Sequence, residues 1–178
     1  MSSFSSLLVD IGGTNMRYAY ANKRNIFEEK ILSNISDQKI NKTLGNLLSN
    51  PQIKNAVIAA AGPRLGNRIE MTNRKVIVDG DLLGRKFKLA NSQVLNDWEA
   101  VGYAIDEMKL KKIKKGKSKS NVDLMIGPGT GLGFAIVADG KVVPTEIGNT
   151  KLHSKLLLNN LGIRPVSYTH LTLPTTYH

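Results

Sequence analysis

Three features of the chain predict an α/β fold: an apolar strand that breaks at paired glycines and resumes, a continuous apolar run, and a helical stripe between them. The first is Leu7-Leu8-Val9-Asp10-Ile11-Gly12-Gly13-Thr14-Asn15-Met16-Arg17-Tyr18-Ala19-Tyr20, a strand, a tight turn and an alternating strand. The second is Ala56-Val57-Ile58-Ala59-Ala60-Ala61, short enough for a strand buried on both faces. The third is Ile40, Leu44, Leu47 and Leu48. The chain has 178 residues, 41% hydrophobic and 22% charged, which is a globular composition with room for one domain and part of another.

The elements follow in order. Asn25 to Ser33 reads as a third strand, and Ser36 or Asp37 caps the helix that carries the stripe. Gly45 lies off that stripe, and Pro51 marks the exit. Gly62-Pro63 stops the apolar run. Arg68 to Thr72 alternates weakly as a short strand, and Val76-Ile77-Val78 is another. Asp79 or Asp81 caps a short helix through Leu83. Val94-Leu95 is a short strand feeding Asn96-Asp97-Trp98. A helix follows with Trp98, Val101, Ile105 and Met108 on one face. After a lysine-rich run, Val122 to Ile126 opens a new sheet, and Lys141-Val142-Val143-Pro144 closes it.

Chemistry concentrates at the turns. Two Gly beside a Thr let backbone N–H groups approach an anion, since no Cβ stands in the way. Asp10 ends the first strand, where a carboxylate can face a cation held by that anion. An ordinary hairpin with a solvated Asp fits the same local sequence. Met125-Ile126-Gly127-Pro128-Gly129-Thr130-Gly131-Leu132-Gly133-Phe134 repeats the plan, which suggests two phosphate clamps. Neither turn has the Gly-Lys-Ser/Thr ending of a Walker loop, and neither leads into the helix of a dinucleotide fold.

Composition narrows the partners. There are no Cys residues, which excludes disulfides and Cys-ligated zinc from this chain and suits a reducing, cytoplasmic setting. No apolar run reaches membrane-spanning length, and the first residues lack a signal-peptide pattern. The net charge of +11 draws heavily on seven lysines between Lys109 and Lys119. That run has no aromatic residue for base stacking and reads as a solvated linker, so no nucleic-acid partner is expected.

Asp10-Ile11-Gly12-Gly13-Thr14-Asn15, Ala61-Gly62-Pro63, Met71-Thr72-Asn73, Asn96-Asp97-Trp98-Glu99-Ala100 and Gly127-Pro128-Gly129-Thr130-Gly131-Leu132-Gly133 occur in one order and spacing. This set resembles the bacterial glucokinase family, from about Leu7 to about Gly148. The resemblance implies the ribonuclease H-like, actin-like ATPase superfold: an N-terminal lobe with a mixed sheet, then an incomplete second lobe. It implies ATP:glucose 6-phosphotransferase chemistry, with ATP and Mg2+ as cofactors, glucose as substrate, and a homodimer for the full-length protein. By resemblance, Val9, Asp10, Ile11, Gly12, Gly13 and Thr14 form the first phosphate turn, with Asp10 near magnesium through water. Gly129, Thr130 and Gly131 form the second. Asn96 and Asp97 bind the sugar, Asp97 being the general base for its 6-hydroxyl. Glu146 and Asn73 are further sugar neighbours. Phosphoryl transfer needs backbone donors, a metal ion and an acceptor for one proton, which these residues supply. Local sequence alone also allows Asp97 as a helix N-cap and Glu146 as a solvated strand-end residue.

The chain departs from the family at Glu146-Ile147-Gly148-Asn149, where Glu-Gly-Gly-His is usual. An amide hydrogen-bonds a sugar hydroxyl but does not titrate as His does, which keeps another sugar or aminosugar kinase of the same superfold open. A non-enzymatic sugar-sensing regulator is disfavoured by the first strand's start within a few residues of Met1. Expected boundaries are 1–109 for the small lobe, 110–120 for the linker, 121–165 for the start of the large lobe and 166–178 for a tail. The tail matches nothing in the family and spells the translation of a transposase-type sequencing adapter, so it is expected to be non-native and the polypeptide inactive alone.

Overall fold

The computed structural model describes residues 4–23, 25–114, 121–128, 132–143 and 145. The chain divides into two compact units, Met1–Lys109 and Leu110–His178.

The first unit is built on β1 (Ser6–Ile11), β2 (Met16–Asn22), β3 (Asn25–Leu32), β4 (Asn55–Ala60) and β8 (Asn91–Asn96), in the sheet order β3-β2-β1-β4-β8. β1 runs antiparallel to β2 and parallel to β4, and β4 is parallel to β8. The sheet is therefore mixed, with β1 at its centre. Register places Leu7, Val9 and Ile11 beside Ala56, Ile58 and Ala60, with Val94 beside Ile58. These side chains share one face and are buried together.

Helix α1 (Asp37–Leu48) contributes Ile40, Leu44, Leu47 and Leu48 to the same core. Its N-cap is Ser36, whose Oγ accepts from the Lys39 N–H, and Asp37 is the first helical residue. A small antiparallel sheet of β5 (Arg64–Leu65), β6 (Arg68–Glu70) and β7 (Ile77–Asp79) adds Ile69 and its partner Val78 to that core. The sequence gives β5 no apolar signal, and both its residues are exposed.

Two elements run longer than their sequence signals. Helix α2 (Gly80–Phe87) continues past Leu83. Its cap is Asp79, whose Oδ1 accepts from the Leu82 N–H at 2.9 Å and is thereby held below the ordinary carboxylate range, with Arg68 adding to the effect. β8 begins at Asn91 because the polar residues Asn91, Ser92 and Gln93 form a sheet edge, where side chains need no apolar partner.

One expectation is corrected. Helix α3 (Asp97–Tyr103) stops well short of Met108, and a single 3-10 turn, Ile105–Glu107, follows. The buried positions of α3 are Glu99 and Gly102, not a stripe of Trp98, Val101, Ile105 and Met108. The anchor at Asn96 and Glu99 fixes the helix phase, and Met108 is exposed.

The second unit contains β9 (Val122–Pro128), β10 (Leu132–Ala138) and β11 (Lys141–Val143), an antiparallel meander. Asp139 and Gly140, at φ 50 and 73°, form the two-residue connection between β10 and β11, as a type I′ turn requires. Ala135 and Val137 are buried on one face, while Val122, Leu124 and Ile126 are each more than half exposed on the other. Gly129, Thr130, Gly131, Glu146, Asn149 and residues 166–178 lie outside the described residues. Among the described residues, no helix is long and apolar enough to cross a membrane.

Candidate active site

The C-terminal ends of the parallel strands β1, β4 and β8 meet at one rim of the sheet. Register aligns Ile11, Ala60 and Asn96 across that rim, with Asp10, Ala59 and Leu95 one residue back. Three loops leave from it: the Gly12–Asn15 turn, the segment after Ala60, and the entry to α3. Thr72 N–H donates to the Ala61 carbonyl, and Ala61 N–H to the Ile11 carbonyl, both at 3.3 Å. The segment carrying Asn73 is thereby laid against the same rim, with Asn73 exposed.

Asp10 alternates with Val9 and Ile11, so it projects from the face opposite the main core. Arg17, its antiparallel partner on β2, approaches it at 3.3 Å. Val9 and Ile11 send their side chains into the core and serve the site as scaffold. On the Asp10 face, register sets the small side chain of Ala59 and then Leu95 beside Asp10, and both are buried.

Asp97 opens α3 directly after β8, near enough to Asp10 to sense its charge. Burial pushes its carboxyl above the ordinary carboxylate range, its hydrogen bond from Trp98 N–H pulls the other way, and the negative charge of Asp10 raises it further. Asp10 is also raised, by burial first, against the lowering influence of Arg17. Two desolvated carboxyls at the end of a parallel sheet, one of them raised by the other's charge, are a marker of a functional site.

Asn96, not Asp97, is the N-cap of α3. Asn96 Oδ1 accepts from Trp98 N–H at 2.9 Å and Glu99 N–H at 3.1 Å, and its Nδ2 donates to the Gly62 carbonyl at 3.0 Å. Glu99 completes a capping box by accepting from Asn96 N–H at 3.2 Å. With Asn96 in that position, the Asp97 carboxylate is not needed as the cap.

Four residues behind this rim, two of them inside the quoted motifs, were given no role by the sequence. Glu99 is only 1% exposed and receives Arg64 in a two-pronged ion pair, Nε to Oε2 at 2.8 Å and an Nη to Oε1 at 2.9 Å. The Asn-x-x-Glu spacing is a local signal for the capping box, but nothing local points to Arg64. Arg74 reaches from the Asn73 segment to the Gly12 and Gly13 carbonyls at 3.2 and 3.0 Å. Gly62, at φ 154°, sits so close to Glu70 that an added Cβ would meet that carbonyl at 2.6 Å. A glycine is required there, and its carbonyl anchors Asn96.

A β-hairpin, two parallel crossovers and a rim bearing a glycine turn and paired carboxyls define a class: the actin-like ATPase fold, here in a sugar kinase lineage. A family model described as Glucokinase matches residues 7–156. The chain is 32% identical over 141 residues to a glucokinase of Campylobacter jejuni subsp. doylei, covering 75% of this chain and 42% of that one. It is 33% identical over 141 residues to a glucokinase of Mesorhizobium japonicum, covering 74% and 41%. Among solved structures, a glucokinase from an Antarctic psychrotroph superposes with a TM-score of 0.61 at 28% identity, over 83% of this chain and 52% of that one. A Balamuthia mandrillaris glucokinase in complex with glucose gives a TM-score of 0.65 at 21% identity, over 83% and 49%, a likeness of fold. The chain belongs to the glucokinase family. It spans under half the length of the curated relatives it matches.

Proposed function

We propose that this chain is the sugar-side lobe of an ATP:glucose 6-phosphotransferase, with Asp97 the acceptor of the 6-hydroxyl proton. The observation that carries the reading is that Asp97 follows β8 at the same strand-end rim as Asp10 and the Gly12–Asn15 turn, within reach of the Asp10 charge. A base with its proton affinity raised toward working pH accepts a proton more effectively than an ordinary carboxylate. Burial and the Asp10 charge supply that rise.

Backbone donors at Gly12, Gly13 and Thr14 are the phosphate contacts in this reading, and Asn73 and Asn96 border the sugar. Among the described residues no group of three potential metal ligands occurs, so Asp10 alone fits Mg2+ held mainly by water and phosphate oxygens. Such an ion, when bound, neutralises charge on the transferring phosphoryl group. The roles that the resemblance gives Gly129, Thr130 and Gly131 as a second phosphate turn, and Glu146 as a sugar neighbour, belong to this reading, as does a cytoplasmic location. The Asn149 departure favours a second reading, a kinase of a related hexose or aminosugar, and a sugar panel separates the two.

The test uses a protein of the relatives' full length. Asp97→Asn lowers kcat by about 10²–10⁴ with little change in KM for glucose. A variant that keeps more than about a tenth of the activity removes Asp97 from the role of base. The 178-residue chain alone yields no glucose-dependent ADP, and steady turnover by it would overturn that part of the proposal.

A further inference from the structure

Arg74 is the most connected side chain near the phosphate turn, and its own side chain is only 9% exposed. Its Nε donates to the Gly12 and Gly13 carbonyls. Its Nη1 donates to the Ile35 carbonyl at 2.8 Å and to Asp37 Oδ1 at 2.9 Å. Asp37 is held in turn by Lys75 N–H on Oδ2 at 3.1 Å. The Thr14 carbonyl is fixed from the same side by Ile35 N–H at 3.3 Å.

The consequence lies in peptide geometry. In a planar trans peptide, the carbonyl of one residue and the N–H of the next point in opposite directions. No cis peptide occurs among the described residues. Fixing the Gly12 carbonyl toward Arg74 therefore turns the Gly13 N–H away from it. Fixing the Gly13 carbonyl does the same for Thr14 N–H. Gly12 N–H is already used, donating to the Asn15 carbonyl at 2.9 Å. Gly13 and Thr14 are exposed, and the space where a Gly13 Cβ would stand is open to 4 Å. Two successive N–H groups facing open space form an anion-binding nest.

We propose that Arg74 is the positioning residue of this turn: it grips the carbonyls of Gly12 and Gly13 so that the N–H groups of Gly13 and Thr14 stand outward as the donor pair for a nucleotide phosphate. The inference rests on the reading of this turn as phosphate-binding and adds the residue that shapes it. Arginine suits the task because one planar fork serves acceptors on separate segments, which a single ammonium does not. The arrangement also links the phosphate turn to the segment bearing Asn73 and to the start of α1.

The test uses the whole chain with inorganic pyrophosphate as probe, followed by backbone amide NMR. In the wild type, pyrophosphate shifts the Gly13 and Thr14 amides. In Arg74→Lys the dissociation constant rises about tenfold, roughly 1.4 kcal/mol. Hydrogen exchange quickens at the Gly12 amide, which donates to the Asn15 carbonyl, while β1 and α1 keep their protection. A merely structural role predicts loosening spread over β1 and α1, and that pattern overturns the proposal, as does an Arg74→Lys affinity within about twofold of wild type. If Arg74→Lys does not fold, Asp37→Asn serves, since it leaves Arg74 in place but removes its counter-charge. Exchange then rises at the Gly12 amide alone, and unchanged exchange there overturns the proposal. Absence of any wild-type shift at Gly13 and Thr14 defeats the phosphate reading and this inference together, whereas equal binding by wild type and Arg74→Lys defeats only the inference.

Discussion

Replacing Arg64 by Met leaves the Glu99 carboxylate buried with, among the described residues, a single remaining donor, the Asn96 N–H. The site starts from an ion pair with two contacts under 3 Å and a carboxylate that is 1% exposed. Breaking such a pair from one side costs about 3–5 kcal/mol, because the surviving charge keeps its desolvation penalty. The Arg64 side chain is 28% exposed, so water partly replaces it, and the low end, about 3 kcal/mol, is expected. In a unit of this size each kcal/mol moves the midpoint by about 4–8 °C, giving a fall of about 12–24 °C. Trp98, the one tryptophan of the chain, lies between Asn96 and Glu99 and reports the transition by fluorescence. The companion variants are Glu99→Gln and the double substitution Arg64→Met/Glu99→Gln. Neutralising the carboxylate removes the orphaned charge, so the double variant recovers more than about 1 kcal/mol of the Arg64→Met loss. An Arg64→Met protein within about 1 kcal/mol of wild type, or strictly additive losses, would refute the reasoning.

Three further outcomes are expected. Asp97 and Asp10 both titrate above the ordinary value of 3.8 in the folded chain, so each favours the fold below about pH 4 and that contribution is lost as pH rises through the raised value. At pH 7 the Asp97 charge is a net cost, and Asp97→Asn, which keeps an Oδ1 for Trp98 N–H, melts no lower than wild type at pH 7 but lower relative to it near pH 3.5; a lower melting point at pH 7 contradicts the sign. Gly62→Ala forces a Cβ against the Glu70 carbonyl and holds alanine at φ 154°, for a loss of about 2 kcal/mol or more in urea unfolding. The lysine run confers no specific duplex DNA affinity, and tight binding lost on deleting residues 109–119 would reverse that expectation.

Much of the first unit is legible because its signals are local. The Asp10–Thr14 turn, the Ile40–Leu48 stripe and the Ala56–Ala61 run each declare their element within a few residues. The site is legible only in part. Asn96 and Asp97 are both good N-caps by local rules; Glu99 three residues on favours Asn96, whose amide is also held by the Gly62 carbonyl, more than thirty residues earlier in sequence. Arg64 and Arg74 are ordinary exposed cations to a sequence reader, since their partners at Glu99 and Gly12 lie 35 and 62 positions away. The overextended α3 has the same cause. A spaced apolar series predicts a buried face, whereas a buried carboxylate and a glycine occupy that face instead.

The outermost strand of the larger sheet, β3, is exposed at six of its eight positions, carries Glu28, Glu29 and Lys30, and bends where Glu28 takes a φ of 51°. A kinked, charged border is a poor template for a neighbouring chain. The opposite border, β8, begins with Asn91, Ser92 and Gln93, which is equally uninviting. In the second unit the border strand β9 differs: Val122, Leu124 and Ile126 line one exposed face of it, and a charge placed at Leu124 interrupts that apolar row.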